Sequence, residues 1–276
     1  MLGQDVCRMA PRWARVTALT RADGDLAAPE QARAALAAPS PEIIIHCAAY
    51  TDVDGCTRDP DRAWRNNAVA TANVAAVAGE IGAVVLYIST DYVFDGSKGE
   101  PYLEDDEPAP LNPYGESKLA GEQAVAGAAE HVIVRTQWLY GPGGRNFVLS
   151  VLRAAVAGKR LRVVTDEVGC PTWTPDLAAG LWRLLESGGR GIFHMTGQGA
   201  CSRLELARVA LDDAGMREVP IEGILSAQWD SPTVRPLNAT LGSSRLAQVG
   251  VAPLRPWREA LAEYVALLGT TSALEP

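Results

Sequence analysis

The stretch Ala83-Val-Val-Leu-Tyr-Ile-Ser-Thr-Asp-Tyr-Val-Phe-Asp-Gly96, followed by Asn112-Pro-Tyr-Gly-Glu-Ser-Lys118, decides the fold of this chain. Its first part opens with a short, almost wholly apolar run, the pattern of a strand buried on both faces of a parallel sheet. Its second part is a helix start. Asn112 is a good N-cap and Pro113 suits the first helical position, so Tyr114 falls in the first turn of a helix expected to run to about Ala129.

The same rhythm extends outward on both sides. Arg15–Thr20 reads as a strand, Ala28–Ala37 as a helix, Glu42–His46 as a buried strand, Pro60–Glu80 as one long helix and His131–Thr136 as a further strand. Short apolar runs separated by helices predict an α/β fold, a Rossmann-like doubly wound parallel sheet covered on both faces, over residues 1–140. After Gly141 the connections become short and rich in Pro and Gly, as in Gly141-Pro-Gly-Gly144 and Ser187-Gly-Gly-Arg190. This predicts a smaller, less regular lobe over residues 141–276 that binds substrate and returns some segments to the sheet.

Tyr114 and Lys118 stand four apart and therefore share a helix face. An ammonium beside a phenol, at the positive end of a helix, makes the phenol easier to ionise, so the pair reads as an acid/base device. The chain has seven tyrosines and only three lysines, Lys98, Lys118 and Lys159, so a chance Tyr-x-x-x-Lys is expected well under once.

Composition narrows the function classes. The 276 residues are 47% hydrophobic, enough for a large core, and no apolar run approaches the length of a membrane span. A net charge of -8 argues against nucleic acid as a ligand, which is held by many Lys and Arg contacts. Five scattered cysteines and three distant histidines suggest neither a disulfide framework nor a metal site. The expectation is a reduced, cytoplasmic protein with no membrane partner, in which Cys47 and Cys170 serve as small buried hydrophobes.

Several motifs in order give a more specific reading: Cys47-Ala-Ala-Tyr-Thr-Asp-Val-Asp54, Asn67-Ala68, Ser89–Gly96, Pro110–Glu122, Arg135-Thr-Gln-Trp138, Arg145-Asn-Phe147, Gly169-Cys-Pro-Thr172 and Arg235-Pro-Leu-Asn238. With these, nearly the whole chain resembles the extended short-chain dehydrogenase/reductases, and among them the dTDP-4-dehydrorhamnose reductases. The resemblance implies reduction of the 4-keto group of a nucleotide-linked 6-deoxy sugar by NADPH or NADH. It implies Thr90, Tyr114 and Lys118 as catalytic residues. It places Leu2, Gly3, Asp25, Leu26, Cys47, Ala48 and Ala49, with Tyr114 and Lys118, at the cofactor. Thr90, Asp91, Trp138, Asn146 and Arg235 are placed at the substrate. Mg²⁺ involvement and a homodimer stay open.

The family pattern also sets expectations about the beginning of the chain and about close alternatives. Members open with a strand and a Gly-rich turn, and Met1-Leu-Gly3 matches only the last part of such a turn. The expectation is a start at an internal methionine, roughly ten residues short, about one strand and part of its turn. A sugar-nucleotide epimerase or dehydratase of the same superfamily is the alternative enzyme. Dehydratases generally follow the threonine with Asp-Glu, whereas Thr90 is followed here by Asp91-Tyr92. A catalytically silent, reductase-like binding protein is the non-enzymatic alternative.

Overall fold

The computed structural model describes residues 1–128 and 130–269. The chain opens with α1 (Leu2–Arg8) and α2 (Pro29–Ala37), then enters the sheet with β1 (Ile43–His46). Next come α3 (Val53–Arg58), α4 (Pro60–Ala63), a π-helical segment at Trp64–Val69 and α5 (Ala70–Ile81). β2 (Val84–Thr90), α6 (Pro113–Ala126) and β3 (His131–Thr136) follow. The remainder alternates short strands and longer helices: β4 (Leu139–Tyr140), α7 (Phe147–Val156), β5 (Leu161–Val164), β6 (Val168–Gly169), β7 (Thr172–Trp173), α8 (Thr174–Glu186), β8 (Gly191–His194), β9 (Cys201–Ser202), α9 (Arg203–Asp213), β10 (Ile221–Ile224) and α10 (Trp257–Gly269).

The main sheet is parallel, in the order β1-β2-β3-β8. Its register sets Ile43 beside Val84, Val85 beside His131 and Val132 beside Gly191. Alternate residues of each strand face opposite sides. Val85, Tyr87 and Ile133 pack with Val74, Val77 and Val125 under α5 and α6, whereas Leu86, Val132 and Val134 pack with Leu2, Val6, Leu177 and Leu181 under α1 and α8. A third core, built on Leu152, Leu206, Leu261 and Tyr264, joins α7, α9 and α10.

Three sequence expectations need correction. Arg15–Thr20 is exposed and irregular, because among the described residues no strand lies beside it and a strand is stable only in a ladder. The stretch Pro60–Glu80 is helical but not uniformly α, since Trp64–Val69 widens to a π segment. That widening has a local use: Asn67 accepts from the Tyr50 amide at 2.7 Å and donates to the Tyr50 carbonyl at 3.0 Å and to Ser117 Oγ at 3.0 Å. Finally, α6 ends at Ala126, and Ala129 lies outside the described residues.

The centre of the sheet holds a buried ion pair. Arg135 on β3 donates to both Glu122 oxygens on α6, at 2.9 and 2.7 Å, with the two side chains 2% and 4% exposed. Ser89 on β2 donates to the same carboxylate at 2.5 Å. Removing one partner leaves an uncompensated buried charge, so Arg135→Met should destabilise the protein by about 3–5 kcal/mol. Pairing it with Glu122→Gln should recover a measurable part of that loss. Urea unfolding of the two variants checks both statements.

Candidate functional site

The site is organised by the first turn of α6. Asn112 Oδ1 accepts from the Gly115 amide at 3.0 Å, which fixes the helix start and sets Tyr114 facing inward, 9% exposed. Gly115 is required there because a Cβ would collide with the Tyr92 carbonyl. One turn on, Lys118 is 2% exposed, donates from Nζ to the Ile88 carbonyl at 2.7 Å and lies 4.0 Å from the centre of the Tyr87 ring. Thr90, at the carboxyl end of β2, lies near the Tyr114 phenol, and its hydroxyl favours the ionised form of that phenol. Thr90, Tyr114 and Lys118 are therefore brought together.

Their ionisation departs from the sequence expectation. Burial pushes the Tyr114 phenol well above its ordinary value, and nearby Asp91, Tyr92 and Cys56 push the same way against the Thr90 hydroxyl. Burial pushes Lys118 down to about 7, opposed by Glu122 and Cys47. The expected easing of phenol ionisation fails because removal from water outweighs the helix dipole and a lysine engaged with Ile88 and Tyr87. Tyr114 is thus protonated at neutral pH, the state needed to donate a proton.

Aromatic and charged groups lie next to Tyr114. Tyr92 meets it edge-on, with ring centres 5.3 Å apart. Both Arg203 and Arg235 act electrostatically on the Tyr92 phenol. These arginines line a cleft of about 250 Å³ with Phe147, Arg162, Glu167 and Trp229. Arg235 is oriented by Asp54 at 2.7 Å and Ser231 at 2.5 Å, and Arg203 approaches Glu167 at 3.5 Å.

Trp138, stacked against the cleft residue Arg203, is in a strained conformation, with φ at 49°, rarely adopted by a large residue. Arg203 stacks 3.6 Å from the centre of its ring, and the indole so closely approaches Gly169 that a Cβ there would stand 2.5 Å from Cε2. The ring is held from two sides.

The remaining expected site residues divide by position. Asp91 is 3% exposed and turned inward, accepting from Thr90 Oγ1 at 3.1 Å and Gln137 Nε2 at 2.9 Å. Asn146 uses its side chain to cap α7, accepting from the Leu149 amide at 2.9 Å, and donates to the Tyr264 hydroxyl at 2.9 Å. Asp25 is paired with Arg65 on the surface, and Leu26 packs beside α5 while its carbonyl accepts from Asn73 at 2.8 Å. Ala48 and Ala49 follow β1, where small side chains leave the backbone accessible. Leu2 is buried in the core, and a Cβ on Gly3 would lie 3.6 Å from the Cys47 Cβ. Burial pushes the Cys47 thiol up to about 12, which keeps it protonated. Sequence reading missed Arg203, Glu167, Trp229 and Gln137. Only Gln137 carried a signal, its place inside Arg135-Thr-Gln-Trp138.

The architecture is that of a Rossmann-like reductase, and comparison with known proteins defines it further. Residues 1–269 match the family described as the RmlD substrate binding domain, and the chain belongs to that family. It is 37% identical over 282 residues to the dTDP-4-dehydrorhamnose reductase of Mycobacterium tuberculosis strain H37Rv, covering 99% of this chain and 92% of that protein. It is 36% identical over 266 residues to the spore coat polysaccharide biosynthesis protein SpsK of Bacillus subtilis, covering 96% and 93%. A solved dTDP-4-dehydrorhamnose reductase from Bacillus anthracis, in complex with NADP, superposes with a TM-score of 0.93 at 33% identity, covering 96% of this chain and 95% of that one. No helix among the described residues is long and apolar enough to cross a membrane.

Lys118 gives a pH signature for the site. Its folded value of about 7 lies below the ordinary lysine value of 10.5, so between these limits the unfolded chain binds more protons and stability rises with pH. Lys118→Met should therefore unfold at higher urea than the parent at pH 7, with the advantage narrowing as the pH approaches 10. Urea midpoints across that range check it.

Proposed function

We propose that this protein reduces the 4-keto group of a dTDP-4-dehydro-6-deoxy sugar with NADPH, a step of nucleotide-sugar biosynthesis carried out in the cytoplasm. The observation that carries the reading is the placing of Thr90 and Tyr114 together at the carboxyl end of β2, with Lys118 buried one helical turn on; Tyr92 meets Tyr114 edge-on and feels the charge of Arg203 and Arg235, which line the cleft. On this reading residues 1–140 hold the cofactor and residues 141–276 mainly hold the substrate.

The donor set fits a nicotinamide cofactor. An ammonium has three N–H donors, and the Lys118 bond to the Ile88 carbonyl leaves others for ribose hydroxyls. Ala48, Ala49 and Cys47 lie at the neighbouring strand end. When bound, the cofactor supplies the hydride.

The chain's own residues handle orientation and the proton. Tyr114, kept protonated by burial, gives its phenol proton to the C4 oxygen as negative charge develops there. Thr90 hydrogen-bonds that oxygen, a contact worth most in a water-poor pocket. Arg203 and Arg235 present planar guanidinium forks to the diphosphate, and Trp138 offers an apolar wall to the sugar. Trp229 and Phe147 provide aromatic surface for the base.

The test is NADPH consumption with dTDP-4-dehydro-6-deoxy-L-mannose as substrate. Tyr114→Phe should lower kcat by about 100-fold or more while NADPH binding is unchanged, and full turnover without the phenol would sink its assigned role. Arg235→Ala should mainly raise KM for the sugar nucleotide, since it removes a diphosphate contact distant from the reacting carbon. Redox-neutral turnover of a sugar nucleotide would favour the epimerase alternative.

A further inference from the structure

Thr90 has one hydroxyl proton and two acceptor lone pairs, and the fold makes several demands on them. The Tyr92 amide donates to Thr90 Oγ1 at 3.2 Å, and Thr90 Oγ1 lies 3.1 Å from Asp91 Oδ1. The Tyr114 phenol lies near the same hydroxyl. With Asp91 ionised, the Thr90 proton goes to the carboxylate, one lone pair accepts from the Tyr92 amide, and the other is left to face the Tyr114 hydroxyl. Thr90 then has no proton for a ketone.

Gln137 determines what happens when Asp91 is protonated. Gln137 Oε1 accepts from the Cys170 amide at 2.7 Å, and its Nε2 donates to Asp91 Oδ2 at 2.9 Å and to the Ala239 carbonyl at 3.2 Å. A flipped amide would face N–H against N–H, so the orientation is fixed. Asp91 Oδ2 always meets a donor, and a proton on this carboxyl must sit on Oδ1, facing Thr90.

We propose that Asp91 is a positioning residue that sets the direction of the Thr90 hydroxyl: ionised, it draws the proton inward; protonated, it donates to Thr90 and turns that proton outward. The second state points the Thr90 proton at the Tyr114 oxygen and the ketone oxygen beside it. It also gives a return path after catalysis. Thr90 passes its proton to the Tyr114 phenolate while taking one from Asp91 Oδ1, so an O–H bond forms on Tyr114, one breaks on Asp91 and the negative charge moves to Asp91. Solvent restores the Asp91 proton when product leaves. The inference rests on the reading of Thr90 and Tyr114 as the pair facing the carbonyl.

The surroundings permit such a switch near neutral pH. Burial raises the Asp91 carboxyl to about 6, against the hydrogen bonds from Gln137 and Thr90 and the positive charge of Arg203. The other titratable groups facing it are Tyr92 on its own turn, Tyr114 on α6 and the Cys170 thiol, and Arg203 on α9 is partnered by Glu167. All three of those neutral groups are themselves shifted upward and stay protonated through this range.

The test needs neither cofactor nor substrate. The protein is labelled at the tyrosine ζ-carbon, and the Tyr114 signal is assigned by its loss in Tyr114→Phe. Titration from about pH 8 to about pH 5 should move that signal near pH 6 as the phenol changes from donor to acceptor. Asp91→Asn keeps its carbonyl toward Gln137 and offers an N–H to Thr90 at every pH, so the step should vanish. Gln137→Glu adds a carboxyl against Asp91 and should move the step to higher pH, an independent check should Asp91→Asn fold poorly. No step in the parent protein, or the same step persisting in Asp91→Asn, overturns the proposal. A step without NADPH consumption instead refutes the reductase reading alone.

Discussion

The buried pair of Arg135 and Glu122 is the constraint on which the rest of the arrangement depends. Two opposite charges in the interior tolerate little displacement, because each is compensated only by the other and by the few groups around it. Arg135 belongs to the sheet and Glu122 to α6, so the pair fixes how far along the sheet that helix lies. Tyr114, Lys118 and Glu122 succeed one another at four-residue intervals, on the face turned to the sheet. Locking Glu122 therefore locks the Tyr114 and Lys118 side chains above it. Gly121 completes the lock, since a Cβ would collide with the Tyr87 hydroxyl and lift the helix away.

The same close approach controls the chemistry. Bringing α6 down onto the sheet removes water from Tyr114 and Lys118, and desolvation then governs both. A phenol held neutral is suited to giving a proton, and a lysine near its titration point is suited to answering small changes in its surroundings. The cleft beside them has a different character. Its guanidinium groups each face an acid, Arg235 with Asp54, Arg203 with Glu167 and Arg162 with Glu222, so the cleft is strongly polar and its charges are paired.

Much of this was legible in the sequence where the determining contacts are local. The α6 start is written in Asn112-Pro113, and the central strands are written in Ile43-Ile-Ile and Val84-Val-Leu-Tyr-Ile. Arg15–Thr20 has the composition of a strand, but a strand needs a neighbour, and neighbours are not visible in a local window. The Tyr114 and Lys118 spacing gave their shared helix face but not the direction in which burial shifts them, because spacing carries no information about burial. Arg203 and Trp229 escaped notice for a related reason: Arg203 reaches the cleft by lying over Trp138 and Phe147, and Trp229 shares the cleft with Phe147, all distant in the chain. Asn146 illustrates the converse, a motif residue whose side chain is committed to α7 and Tyr264.

The way β1 is held differs from the way its neighbour β2 is held. Ile43-Ile-Ile-His46 is hydrogen-bonded to β2, while its buried face is fixed by side chains: Ile44 packs with Val74 and Val85, and His46 Nε2 lies 3.1 Å from Thr71 Oγ1 on α5. The strand end that leads into Cys47, Ala48 and Ala49 is therefore registered by packing against α5 as much as by its ladder.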